Sequence, residues 1–423
     1  MKRVWHEDLP HCERSKVVET KFYYGKRCSS GEQIMIDRRS IQRPNGFVFG
    51  QPGSGKTFAI KQEINQVIHK TADPIIIIDE GGEYSGLATG VNPFDERSAY
   101  HINPLDVYIG NNTCERIIPY DAAFAMLEEM IGRPLAPYEC AAIARACDIV
   151  FDPFIQRLKT EEKCCDYADN PTLKDVADVL IALPKPSELC LIVALKETIQ
   201  RETNNENKNL SSRVNDCIEK TFCYSAIGGL TEEIHRIYVY IDSYFSYKTN
   251  MPDDRVIQLS WRYMPNNIGK AAYTACLRYA WNRIVQHREA MSNAKKYGYL
   301  WIYLENTDGA FRSVTKGLTN SLMELYRRSR PYGGIVTLIA QDYTDILNSD
   351  EGRACIVDTE FIRFLSMSPS DRENIRDLYH LSDDMMEYVC NAPCGHGLLA
   401  VNSDWIPFEL KYTRKDGSYA GFF

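Results

Sequence analysis

The run GQPGSGKT, Gly50–Thr57, carries the clearest chemistry in the chain. It fits G-x-x-x-x-G-K-[ST] throughout and sits between an apolar stretch and a helical one. Glycines in such a loop let backbone N–H groups wrap phosphate oxygens. A helix starting behind them aims its positive end at the same charge. Lys56 is placed to neutralise β- and γ-phosphates, and the Thr57 hydroxyl to ligate magnesium. The candidate nucleotide-binding residues are therefore Gly50, Gln51, Pro52, Gly53, Ser54, Gly55, Lys56, Thr57 and the adjoining Phe58, with ATP and Mg2+ as the expected cofactors.

Two further apolar runs end in acids. YLWIYLEN ends in Glu305 and Asn306, where a phosphate-loop chain usually has aspartate followed by glutamate. One of that pair holds magnesium's water shell and the other polarises the attacking water. Glu305 still hydrogen-bonds such a shell, with a reach altered by its extra methylene. Asn306 orients a water but accepts no proton at neutral pH, and losing a general base costs roughly 10² to 10⁴ in rate. The second run, IIIIDEGGEY, ends in Asp79, Glu80 and Glu83. Asp79, Glu80 and Glu83 are candidates for a relocated base, Glu80 and Glu83 before Asp79. The plainer reading is a polar strand end and turn, helped by Gly81 and Gly82.

After Glu305 come ELYRRSRPYGG and then GIVTLIAQ. A strand, an arginine-bearing helix and a strand ending in glutamine follow the order of a ring motor. Gln341 would orient water or sense the γ-phosphate. Arg328 or Arg330 would reach a neighbour's site as a finger, which contributes roughly 10³ to 10⁵ in rate where it operates. A solvated helix face is the alternative for RRSR. Arg363 in EFIRFL is a weaker candidate for the finger.

These residues need a scaffold, and the pattern supplies one. KFYYGKRCSSGEQIMIDRR alternates like a hairpin turning at Ser29 to Gly31. GFVFG, PIIIID, RVIQLSW, YLWIYLE, GIVTLIAQ, EFIRFLSM and GLLAV read as strands, several too apolar to alternate, as in a parallel sheet covered on both faces. Helical patterns dominate from 112 to 230, where Thr172 and Asp175 make a capping box. QRETNNENKNLSSR, 200–213, reads as a solvent loop. The expected fold is α/β: a RecA-like domain with a doubly wound, mainly parallel sheet and an all-helical inserted subdomain. The expected segments are a linker over 1–20, the first part of the α/β domain over 21–111, the insertion over 112–230 and the second part over 231–423.

Composition narrows the rest. The chain of 423 residues is 44% apolar and 25% charged, with net charge −8, so its surface as a whole offers no general attraction to nucleic acid. The 14 cysteines are scattered, without a secretory leader, and read as reduced cytosolic thiols. CNAPCGH brings Cys390, Cys394 and His396 within reach of one metal but lacks a fourth ligand at sensible spacing, which argues against a zinc site. No run approaches the length of a membrane span.

Taken in order, the motifs resemble the VirB-four type ATPases of type IV secretion and conjugative transfer systems. The likeness runs from about Phe22 to Asp404. It rests on SSGEQIMIDRR, NGFVFGQPGSGKTFAIKQEI, IIIIDEGGEY, HINPLD, GRPLAPYE, NPTLKDVADVL, YLWIYLEN, LYRRSRPYGGI, IAQDYTDIL, MSPSDRENIRDLYHLSD and GHGLL. The resemblance implies the ATPase half of a motor at the cytoplasmic base of a secretion channel, peripheral to the inner face of the membrane. It also implies self-association as a dimer or hexamer, other channel subunits as partners, and protein or pilin substrates, with DNA transfer supported indirectly. The chain departs from the family at Glu305-Asn306, and at Asp79-Glu80-Gly81 where aspartate-proline-glutamate is usual. The expectation is a slow or weakened Mg-ATPase. Competing readings are a nucleotide-gated assembly subunit with little hydrolysis and a related DNA-pumping translocase.

Overall fold

The computed structural model describes residues 21–107, 118–160, 170–182, 228–294, 296, 298–390 and 392–410. The expected linker at 1–20, the polar stretch 200–213 and part of the expected insertion lie outside them.

One 11-stranded sheet organises the described chain. Its strands are β1 (Phe22–Arg27), β2 (Gln33–Ile36), β3 (Gly46–Phe49), β4 (Ile75–Ile78), β5 (Thr89–Val91), β6 (Val256–Leu259), β7 (Leu300–Leu304), β8 (Gly334–Ala340), β9 (Phe361–Phe364), β10 (His396–Val401) and β11 (Asp404–Glu409). The spatial order is β2-β1-β11-β10-β9-β3-β8-β7-β4-β6-β5. From β9 to β5 every neighbouring pair is parallel. From β9 through β10, β11 and β1 to β2 every pair is antiparallel.

The expected mainly parallel α/β sheet is thus present, extended on one side by an antiparallel half that the strand patterns only partly announced. β11 was not expected, because DWIPFE holds a proline and proline forfeits a ladder donor. Pro407 is tolerated because pairing with β1 begins only at Phe408, while the Pro407 carbonyl still accepts from Cys28 N at 3.0 Å.

The central strands are continuous apolar runs because both faces are covered. Alternate residues sort cleanly. Val48, Ile75, Ile77, Trp301, Tyr303, Ile335 and Ile339 join Ala59, Ile60, Ile64 and Val67 of α1 (Lys56–Lys70) in one core layer. Phe47, Phe49, Ile76, Ile78, Ile302, Leu304, Val336 and Leu338 face the other layer, with the helices Asn266–Asn293 and Gly317–Arg328.

Between β5 and β6 the described chain is largely helical: α2 (Tyr120–Ile131), α3 (Pro137–Thr160), α4 (Leu173–Ala182) and a helix over 228–244. Thr172 and Asp175 do form the capping box, with Thr172 N donating to Asp175 Oδ2 at 2.7 Å. α2 is not set apart from the sheet: Ala123, Met126 and Leu127 share the core layer of Ile76 and Ile78. Among the described residues no helix is long and apolar enough to cross a membrane.

A buried ionic cluster fixes α1 to the sheet. Glu63 on α1 accepts from Arg38 Nη1 at 2.7 Å, and Arg38 also donates to Pro44 O and to Thr337 Oγ1. Arg363 on β9 lies 3.8 Å from the same carboxylate and over the Tyr24 ring. Both guanidiniums are fully buried. Arg363 is therefore no candidate for a finger reaching another subunit; the apolar flanks in FIRF put it in the core, and its charge is answered there.

Candidate nucleotide site

β3 ends at Phe49 and the phosphate loop follows directly. Gly53 and Gly55 take φ of +79° and +102°, which a side chain would resist, and the chain then turns into α1. No side chain caps α1, so no side-chain cap competes with a ligand for the N–H groups of its first turn. The loop is held from both sides. Gln51 N donates to Ser366 O at 2.8 Å, and Gly395 N donates to Ser54 O at 3.2 Å. Cys394 packs against Gly55, its Sγ 3.4 Å from where a β-carbon would stand.

Lys56 Nζ donates to Gly50 O at 2.5 Å and to Gln51 O at 3.2 Å. Burial pushes its pKa down, opposed by the charges of Glu305, Asp308 and Glu83. Those three carboxylates are thus close enough to feel the ammonium. Phe58 is half-buried at the start of α1.

The two acid-bearing strand ends emerge side by side. Ile78 and Leu304 are in register, so Asp79 and Glu305 leave adjacent parallel strands at the same level. β4 is separated from β3 by β8 and β7, yet its turn folds back toward the loop. Asp79 builds that turn: Oδ1 accepts from Gly81 N at 3.0 Å, and Oδ2 accepts from Glu83 N and from Gln258 Nε2 at 3.0 Å. Burial raises the Asp79 pKa against the pull of those N–H groups. Its carboxylate is occupied by the turn and is not a base.

Glu83, delivered by this turn, accepts from the Thr57 hydroxyl at 2.8 Å. Glu80 is exposed beside Gly269 at the start of the helix Asn266–Asn293. Of the three candidates for a relocated base, Glu83 is the one in contact with the phosphate loop.

Glu305 is buried, and Oε1 accepts a hydrogen bond from the Tyr84 phenol. Burial pushes its pKa up to about 7; the Tyr84 bond and Lys56 oppose this, while Asp79 and Glu83 add to it. Asn306 is exposed, in the left-handed region at φ +54°. Asp308 follows on a short helix, Asp308–Phe311. Its Oδ2 takes Arg312 at 2.9 Å, while Oδ1 is buried without a hydrogen-bond partner.

Gln341 is exposed and directly follows Ala340, the register partner of Phe49, so it borders the loop. Arg328 is exposed, paired with Glu324 and stacked on Trp281. Arg330 is exposed too. Both arginines lie at the opposite end of β8, about 20 Å of strand from their own loop. His396 faces Glu409, with Nε2 3.4 Å from Oε2.

Tyr84, Asp308 and Gln258 escaped the sequence reading. Asp308 had a signal, being the next acid after Glu305 in ENTD. Tyr84 had none, because its partner is 221 positions away.

The residues present fit magnesium and a polyphosphate. Ser54 Oγ, in the loop, and Asp308 Oδ1 are buried polar atoms without partners, and Lys56 supplies the cation. Among the described residues no three His, Cys, Asp or Glu side chains converge to hold a metal by themselves. Magnesium in a phosphate loop does not require that, since water and phosphate oxygens fill most of its shell.

A solved structure of VirB4 from Thermoanaerobacter pseudethanolicus superposes with a TM-score of 0.71 over 93% of this chain and 96% of that one, at 18% identity. The fold is VirB4-like. The bacterial conjugative coupling protein TrwB, in a form with sulphate, aligns at a TM-score of 0.51 and 14% identity, over 90% of this chain and 88% of that one. The family model described as the central domain of helicase HerA matches residues 23–222. No curated protein is similar enough in sequence to count as a match. The VirB4-like fold spans both the parallel strands that carry the phosphate loop and the antiparallel strands behind it.

Proposed function

We propose that this chain is a Mg-ATP-binding ATPase subunit of a type IV secretion or conjugative transfer apparatus. The observation that carries the reading is the convergence of Glu83, Glu305 and Asp308 on Lys56 and Thr57 of the phosphate loop, within a VirB4-like fold.

Thr57 would hold magnesium directly and Glu305 through its water shell; bound there, the ion would neutralise charge on the β- and γ-phosphates. Lys56 binds the same phosphates, and the N–H groups of the loop and α1 orient them. In hydrolysis a water oxygen forms the new bond to the γ-phosphorus while the bond to the bridging oxygen breaks. ADP leaves with that electron pair. Glu83, one hydrogen bond from Thr57, takes the water's proton, and Gln341 at the end of β8 orients the water.

Arg328 and Arg330, remote from their own loop, suit a role at the site of a neighbouring copy. That role accords with a dimer or hexamer docked on the cytoplasmic face of a membrane channel, handling protein or pilin substrates. Net charge −8 speaks against a DNA pump, and salt-dependent DNA binding would revive that reading.

Steady-state phosphate release with Mg-ATP tests the reading, beside Lys56→Ala. Turnover that Lys56→Ala abolishes supports an enzyme. A parent that binds ATP yet releases no more phosphate than Lys56→Ala is instead a nucleotide-gated assembly subunit.

A further inference from the structure

We infer that Tyr84 is a positioning residue for Glu305, compensating for the longer side chain that stands where the site would ordinarily carry an aspartate. The inference rests on the Mg-ATP reading above and concerns how this chain meets its metal.

Glutamate has one more rotatable bond than aspartate, and its carboxylate must be held still to order a water shell. Here the main chain of Glu305 is already fixed. Its N–H donates to Ile78 O at 3.0 Å and its carbonyl accepts from Tyr273 OH at 2.9 Å. The Tyr84 phenol then takes Oε1, leaving Oε2 for the metal's waters.

Tyr84 is itself immobile. It is fully buried in the core layer of Ile77, Trp301 and α1, with Lys61 Nζ above its ring at 5.9 Å. Its backbone is part of the turn that Asp79 builds, and Leu87 N donates to its carbonyl at 3.2 Å. A buried phenol needs a partner, and the Glu305 carboxylate is the one it has. The same turn presents Glu83 to Thr57. One rigid segment therefore sets the carboxylate of a neighbouring strand and delivers its own.

The test is the Mg2+ dependence of binding of a fluorescent ATP analogue, read by titrating Mg2+ at fixed nucleotide, with a parallel series in EDTA. Tyr84→Phe keeps the ring and removes only the hydroxyl. It is expected to raise the half-saturating Mg2+ about tenfold, as loss of an outer-shell partner does, while leaving the metal-free affinity unchanged. Glu305→Asp, too short to reach Tyr84, is expected to make the hydroxyl dispensable: adding Tyr84→Phe to it changes nothing further. A role in packing alone would leave the Mg2+ dependence unmoved, or change it equally in the Glu305→Asp background.

Unchanged or tighter Mg2+ dependence in Tyr84→Phe, or equal effects of that change in both backgrounds, overturns the inference. If Tyr84→Phe fails to fold, Glu305→Asp alone decides: weakened Mg2+ dependence, from losing the held carboxylate, supports the inference, and tightened dependence refutes it. A parent that binds no nucleotide, or binds it without regard to Mg2+, defeats the Mg-ATP reading itself and the inference with it.

Discussion

Replacing Glu83 by glutamine keeps the side chain's length and an oxygen able to accept from Thr57 Oγ1, now at 2.8 Å, but removes the ability to take a proton. The other acids nearby cannot substitute well. Asp79 spends its carboxylate on Gly81 N, Glu83 N and Gln258. Glu305 is bound to Tyr84, and burial pushes its pKa up to about 7. Glu80 is turned out to solvent.

Loss of a general base costs roughly 10² to 10⁴ in rate, or about 3–5 kcal/mol of barrier. Glu83 is exposed, so bulk water takes over part of the proton transfer, and the expected loss is at the low end, about 10² in kcat. KM should hardly move, because the phosphate contacts remain. Phosphate release at saturating Mg-ATP measures this, with Glu80→Gln expected to match the parent. If Glu83→Gln stays within about threefold of the parent while Lys56→Ala is inactive, Glu83 is not the base and the β4 turn serves only the fold.

Three further outcomes are expected. Asn306→Glu forces a longer side chain into φ +54° and should lower stability by about 1 kcal/mol in urea unfolding, whereas Asn306→Gly should be nearly neutral. Cys394, exposed and packed on Gly55, should react with a maleimide more slowly when Mg-ATP is bound, and equal rates would place the nucleotide elsewhere. Asp106 is buried, and burial raises its pKa to about 7 against hydrogen bonds from Thr249, Asn170 and Asn103. A carboxyl raised in the folded state contributes stability below its ordinary range and loses it as pH rises toward 7. The stability of the parent relative to Asp106→Asn should therefore fall by about 2–3 kcal/mol from pH 5 to pH 8.

What the sequence disclosed followed from how locally each feature is encoded. The phosphate loop is contiguous, so GQPGSGKT could be read at sight. The parallel strands announced themselves because burial on both faces leaves IIII and LWIYL with no polar positions. β11 did not, since Pro407 counts against a strand until the end of β1 is known. The site divided in the same way. Thr57 and Glu305 were legible from type and position, but Tyr84's bond to Glu305 depends on the register of β4 against β7, and no spacing rule reports that. Arg363 misled because an arginine at a strand centre looks available until Glu63 and Tyr24 are found around it.

Asn306 looked like the loss of a catalytic acid, and the backbone offers a different account. The chain leaves β7 at Glu305 and must bend at once, so that Thr307 N can reach Ile339 O at 3.1 Å and the short helix can start at Asp308. That bend is made at Asn306 in the left-handed region, which asparagine accepts more readily than glutamate. Its side chain is exposed, while the buried carboxylates on either side, Glu305 and Asp308, are the ones whose charges reach Lys56. A glutamate at 306 would meet the conformational cost of the bend. Glu83, brought in by an adjacent strand's turn, meets no such cost and already touches Thr57. The acids around Lys56 and Thr57 come from two adjacent strand ends, and the asparagine stands where the backbone bends into the left-handed region.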